Sequence, residues 1–131
     1  MGIDIPTIAA EALNERDYGI FTGKNKWDIK KQVGDEQFKN IRRAWDVGIK
    51  KGESLKDVYG RVIPYYQTEI LPKLENGKNV IVVAHGNSLR ALVKYLENIS
   101  DKNVENLEIA TGQVYVYKID ERGKIISKEI R

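Results

Sequence analysis

Val80-Ile81-Val82-Val83-Ala84-His85-Gly86-Asn87-Ser88-Leu89-Arg90 is the stretch on which the reading of this chain turns. Its first five residues form a continuous, mostly β-branched apolar run, the pattern of a strand buried on both faces in a parallel sheet. After His85-Gly86-Asn87-Ser88, residues Leu89, Leu92, Val93 and Leu96 recur on one helical face, so the order is strand, tight turn, helix. In open α/β sheets ligands bind beyond the carboxyl ends of the strands, and a helix N-terminus offers unpaired amides and partial positive charge. Gly86 would let a ligand approach the backbone, Asn87 and the following amides could donate to phosphate oxygens, and His85 as imidazolium could neutralise their charge. A histidine at a strand end is otherwise a structural residue, but the adjoining glycine and helix start favour function.

Working outward, 131 residues with 41% hydrophobic and 31% charged side chains suit one globular domain, expected to span 1–131. The 22 lysines and arginines exceed the 19 acids by three, which favours anionic ligands. The basic residues are dispersed among acids, not gathered into a stripe, which argues against a nucleic-acid partner. Without cysteine there is no disulfide framework or thiolate chemistry, and a reducing cytoplasm is the expected location. No apolar run approaches the length of a membrane span, so no membrane partner is expected, and the first residues carry no export leader pattern.

Residues 2–26 have no sustained period and read as an irregular segment. Helices are predicted over 27–33, stopped by Gly34, and over 35–46, with Phe38, Ile41 and Trp45 on one face. Ser54 and Asp57 form an N-cap signature for a long amphipathic helix through Leu55, Val58, Val62, Tyr66 and Ile70, bent at Pro64 and ended by Asn76-Gly77. Ser100 can cap a short helix to Leu107, and 114–119 with 124–130 flank Asp120-Glu121-Arg122-Gly123 as a hairpin. The order implies an α/β layered fold.

The run from His85 to Arg90 resembles the second histidine motif of the histidine phosphatase superfamily. Four further signatures narrow the likeness: Leu13-Asn14-Glu15-Arg16-Asp17-Tyr18-Gly19, Gly23-Lys24-Asn25-Lys26, Arg42-Arg43, and Gly52-Glu53-Ser54-Leu55-Lys56-Asp57 with Arg61-Val62-Ile63-Pro64-Tyr65-Tyr66. In that order and spacing they resemble the 2,3-bisphosphoglycerate-dependent phosphoglycerate mutases from about residue 4 to 120. The resemblance implies a three-layer fold with a mostly parallel sheet. It further implies interconversion of 3-phosphoglycerate and 2-phosphoglycerate through a phosphohistidine, primed by 2,3-bisphosphoglycerate without a metal.

By resemblance, Glu15 would move the proton of the sugar-acid hydroxyl, a task for a carboxylate whose pKa is raised toward the working pH. Arg16, Asp17 and Tyr18 would join it in binding substrate. Lys26, Arg42 and Arg43 would hold substrate carboxylate and phosphate, for which the planar arginine fork is suited. His85, with Gly86 and Asn87, would stabilise the phosphoryl group in transit. Read alone, Glu15 is an ordinary surface acid beside Arg16, Tyr18 a packing aromatic and the basic helix face a solvated one.

Two departures from the pattern matter. The family's nucleophilic histidine belongs to an Arg-His-Gly motif at its first strand, whereas the single histidine here lies in the second motif. By resemblance the chain therefore starts partway through the fold, lacking its N-terminal part, and is expected to be inactive alone. An apolar strand without its neighbour is an edge that invites association, either as a homo-oligomer or with a complementing N-terminal segment. In addition, residues 46–52 lack a proline pair and a longer insertion, as in short-loop bacterial forms. A noncatalytic phosphate-binding module and a phosphatase of the same superfamily are the competing functions.

Overall fold

The computed structural model describes residues 2–131. Residues 2–25 run irregularly apart from two 3-10 turns, Glu11–Leu13 and Gly19–Phe21. Helix α1, Lys26–Val33, starts at Asn25, whose side chain accepts from the Trp27 amide, and stops at Gly34 with φ of 87°. Helix α2, Asp35–Arg43, ends three residues before the predicted end, because Ala44 turns extended and frees Trp45 to pack elsewhere. Trp45 meets Tyr59 edge-on at 5.2 Å and the Lys94 ammonium at 4.4 Å from its ring centre.

Helix α3, Leu55–Tyr65, begins with a capping box in which Ser54 and Asp57 satisfy each other's amides. Past it the chain widens into a π-type turn, Tyr66–Ile70, then tightens into α4, Leu71–Glu75. Pro64 and Pro72 each lack the donor of an i→i−4 bond, so the ladder between them changes pitch instead of simply bending. Helix α5, Gly86–Leu96, packs on α3: Leu55, Val58, Val62, Ala91 and Val104 are wholly buried between them. A smaller cluster of Phe21, Ile41 and Ile49 fastens α2 to the loops.

Ser100 caps a turn as expected, its hydroxyl accepting from Asn103 at 3.1 Å, but only a short 3-10 segment, Asn103–Asn106, follows. The hairpin forms where the sequence predicts it. Strands β1, Tyr115–Ile119, and β2, Ile125–Ile130, pair antiparallel around a turn in which Asp120 accepts from the amides of Arg122 and Lys124.

The mostly parallel sheet expected of the fold is not seen among the described residues. Among the described residues the only sheet is β1 with β2. Residues 80–84 have the alternation of a strand but no paired neighbour: Val80 and Val82 lie on the α3/α5 core, while Ile81 and Val83 are 76% and 87% exposed. Burial is on one face only, not two, because α3 and α5 cover that face and no described element covers the other. Among the described residues no helix is long and apolar enough to cross a membrane.

Candidate active site

The loop from Asn14 to Tyr18 is held from beneath by two arginines. Arg61, on α3, donates to the carbonyls of Ala12, Asn14 and Glu15 at 2.8, 2.9 and 3.1 Å, and grips both Glu53 carboxylate oxygens at 2.8 and 2.9 Å. Hydrogen bonding from Arg61 holds the Glu53 carboxyl below its ordinary range, against an opposing effect of burial. Arg16, only 2% exposed, donates to the carbonyls of Glu53, Ile41 and Val47 at 2.6, 2.5 and 3.0 Å. Burial lowers its pKa, while Tyr18 and Glu15 act in the other direction. The Arg16 side chain, expected to bind substrate, thus ties the loop to α2, because a buried guanidinium must satisfy its donors and backbone carbonyls are what surround it. Asp17 is exposed and serves the turn, its carboxylate accepting from the Gly19 amide at 2.7 Å. Gly19, with φ of 51°, cannot be replaced without collision: a Cβ would stand 2.3 Å from the Lys50 carbonyl oxygen.

This scaffold presents Glu15 to the start of α5. One Glu15 carboxylate oxygen accepts from the amides of Arg16 at 2.8 Å and Asn87 at 3.2 Å, so an acid sits where a helix N-terminus favours negative charge. The Asn87 amide, foreseen as a phosphate donor, is engaged by Glu15 in this arrangement. The Asn87 side chain, nearly buried, donates to Tyr18 Oη at 2.8 Å and accepts from Arg90 at 3.1 Å. His85 is the N-cap residue of α5, its backbone oxygen accepting from Leu89 at 3.0 Å and its ring exposed. At Gly86 an added Cβ would meet no protein atom within 4 Å, so packing does not demand the glycine and the approach to the helix start is open.

The remaining basic residues stand apart from this cluster. Arg42 lies exposed with its guanidinium 5.5 Å from the Phe38 ring centre, and Arg43 pairs with Glu108 at 2.8 Å. Both line a hollow of about 450 Å³ shared with Lys30, Lys39, Phe38 and Glu108. A second hollow of about 450 Å³, lined by Glu11, Glu15, Asp17, Glu53 and Arg61, is acidic. Neither contains His85. Lys26, exposed at the first turn of α1, has its ammonium 5.1 Å from the Trp27 ring centre. The expected convergence is therefore partial: Glu15, Tyr18 and Asn87 meet at the head of α5 beside His85, while Arg42 and Arg43 join them only through their backbone.

That join is Arg90, the last residue of the second-histidine motif. It is 4% exposed and donates to the carbonyls of Arg42, Arg43, Val104 and Leu107 as well as to Asn87. Burial, then repulsion from Arg43 and Arg16, lowers its pKa to about 10, so it stays charged at neutral pH. Arg61 and Arg90 were discernible as charges bordering apolar helix faces, but sequence spacing does not reveal which distant carbonyls they reach. Among the described residues no group of three or more acids or histidines gathers as a metal site would require.

Residues 1–129 match the family described as the histidine phosphatase superfamily (branch 1). The chain is 47% identical to the 2,3-bisphosphoglycerate-dependent phosphoglycerate mutase of Parvibaculum lavamentivorans over 97% of this chain and 60% of that protein. It is 45% identical to the protein of the same name from Beijerinckia indica, over 97% of this chain and 61% of that one. The phosphoglycerate mutase of Schizosaccharomyces pombe is 46% identical over 97% and 60%. The chain thus spans about 60% of the length of the curated relatives it matches. With the second-histidine turn at the head of α5 and a match across nearly all of its residues, the chain belongs to the histidine phosphatase superfamily.

Proposed function

We propose that this chain carries the substrate-binding and acid–base part of a phosphoglycerate mutase site, interconverting 3-phosphoglycerate and 2-phosphoglycerate through a phosphohistidine supplied from outside this sequence. The observation that carries the reading is the meeting of the Glu15 carboxylate, the Tyr18 hydroxyl and the Asn87 side chain at the N-terminus of α5, beside His85. In this reading Glu15 takes and returns the proton of the sugar-acid hydroxyl, which its two amide donors orient. Tyr18 and Asn87 position the substrate, and the exposed His85 neutralises the phosphoryl oxygens. Lys26, Arg42 and Arg43 supply charge for carboxylate and phosphate, with Arg16 and Asp17 shaping the loop. This donor set of hydroxyl, amide and cations suits a polyanion such as 2,3-bisphosphoglycerate, which when bound would supply the priming phosphoryl group.

The chain alone is expected not to turn over, since its one histidine already occupies the stabilising position and phosphoryl transfer by this route requires a nucleophilic imidazole. In the completed fold, residues 80–84 would pair through their backbone in a mostly parallel sheet, and a further layer would cover the face that Ile81 and Val83 now expose. The test mixes the purified chain with a separately made polypeptide corresponding to the part of a curated relative that this chain does not cover and measures mutase turnover. Turnover is expected in the mixture and not in either piece. A folded, co-eluting complex with no activity overturns the mutase reading.

A noncatalytic anion-binding role is the second reading, supported by Glu15, Tyr18 and Asn87 already being hydrogen-bonded together within this chain. It is expected to show as a rise in melting temperature with 2,3-bisphosphoglycerate that Arg42→Ala diminishes. A melting temperature insensitive to the ligand counts against it.

A further inference from the structure

Arg90 imposes a direction on the hydrogen bonds of the site. A guanidinium has donors and no acceptor, so the Asn87 side-chain atom facing Arg90 Nη1 at 3.1 Å is the amide oxygen. The amide nitrogen is thereby turned to Tyr18 Oη, 2.8 Å away. An amide nitrogen donates and does not accept, so the tyrosine oxygen is the acceptor in that bond and its own proton remains to be donated elsewhere. The reverse orientation of Asn87 would set two donors against each other inside a nearly buried site, which is costly. The same guanidinium holds the carbonyls of Arg42 and Arg43 at 3.3 and 3.0 Å, so one side chain fixes both the arginine pair and the polarity of the Asn87–Tyr18 bond.

We propose that Arg90 is a positioning residue that sets the hydrogen-bond polarity of the site, keeping the Tyr18 hydroxyl as a donor toward an anionic oxygen of a phosphoglycerate-class ligand. The ligand class rests on the proposed function; the polarity rests on geometry alone. Because Arg90 stays protonated at neutral pH, the direction does not reverse there. Tyr18 then discriminates for deprotonated carboxylate and phosphate oxygens and against groups that can only donate.

Two measurements on the full chain separate these layers. The first, independent of ligand, follows the Asn87 side-chain amide by proton–nitrogen NMR. In the unaltered protein one of its protons is expected to exchange slowly because it is bound to Tyr18, and in Arg90→Met, which removes the donor, that protection is expected to be lost. Unchanged protection in a folded Arg90→Met overturns the proposal.

The second measures 2,3-bisphosphoglycerate binding by calorimetry. Arg90→Met and Tyr18→Phe are each expected to weaken binding by about tenfold, and the double variant no further, since both act through one hydroxyl. Additive losses assign Arg90 a merely structural role and overturn the proposal. If the unaltered chain does not bind the ligand, the anion-site reading fails while the amide measurement still decides the role of Arg90. Should Arg90→Met not fold, Asn87→Asp serves instead. Its carboxylate accepts from both neighbours and captures the Tyr18 proton, so Tyr18→Phe is expected to cost nothing in that background; a retained cost overturns the proposal.

Discussion

Three buried or half-buried arginines, Arg16, Arg61 and Arg90, do most of the work of holding the site loop, and each does so by donating to backbone carbonyls. Arg61 adds a charge partner, and the consequence is a pH dependence whose sign can be worked out. The folded pKa of Glu53 lies below its ordinary value of 4.5, chiefly through its hydrogen bonds from Arg61. A depressed carboxyl pKa contributes stability that is present above the unfolded value and is lost as the pH falls through the folded one. Melting followed from about pH 6 down to about pH 3 is therefore expected to show an acid loss of stability, shallower in Glu53→Gln than in the unaltered chain. Asp57, held low by its bonds with Ser54, leaves a residual slope. Identical acid limbs in the two proteins would remove Glu53 from the account. The arginines themselves stand plainly in the sequence, but their carbonyl partners lie 14 to 49 residues away, beyond any periodicity.

Among the elements, the start of α3 follows most directly from local chemistry. Ser54 Oγ accepts from the Asp57 amide at 3.1 Å while the Asp57 carboxylate accepts from the Ser54 amide at 2.8 Å, and both residues are neighbours in the chain. Ser54→Ala is expected to lower stability by about 1 kcal/mol, seen as a lower urea midpoint with an unchanged slope. A midpoint within error of the unaltered protein would mean that the buried Leu55, Val58 and Val62 hold the helix start unaided. Helices α1 and α3 and the β1–β2 hairpin were legible for the same reason: caps, glycine stops and an Asp-to-Gly turn act over a few residues. The early end of α2 was not, because Trp45 leaves the helix to reach Tyr59 and Lys94, residues remote in sequence. Nor was the π-type turn, which depends on how two prolines share one helix against α5.

For the molecule as a whole, the unpaired run at 80–84 is the dominant feature. Its inner residues complete the α3/α5 core, while Ile81 and Val83 present an apolar face to solvent and the backbone leaves an unpaired edge. Sedimentation velocity is expected to show concentration-dependent self-association of the 15.0 kDa chain, relieved when Ile81 and Val83 are both replaced by lysine. An unaltered chain that sediments as a monomer at every concentration would show that this edge is protected in some other way.

Local pattern settled the helix beginning at Gly86, the capping box and the hairpin, because each depends on residues within a turn of one another, whereas the run at 80–84, read as buried on both faces, is buried on one. Motif order likewise led from Glu15, Tyr18, the arginine pair and His85-Gly86-Asn87 to the superfamily that the match over residues 1–129 then showed. Three-dimensional packing settled what lies between these pieces. It turned Arg16 inward, put the Glu15 carboxylate on the Asn87 amide, parted Arg42 and Arg43 from His85, and left 80–84 without a ladder. Those outcomes hinge on where distant carbonyls and strands come to rest, and a linear pattern encodes which groups need partners but not which partners they meet.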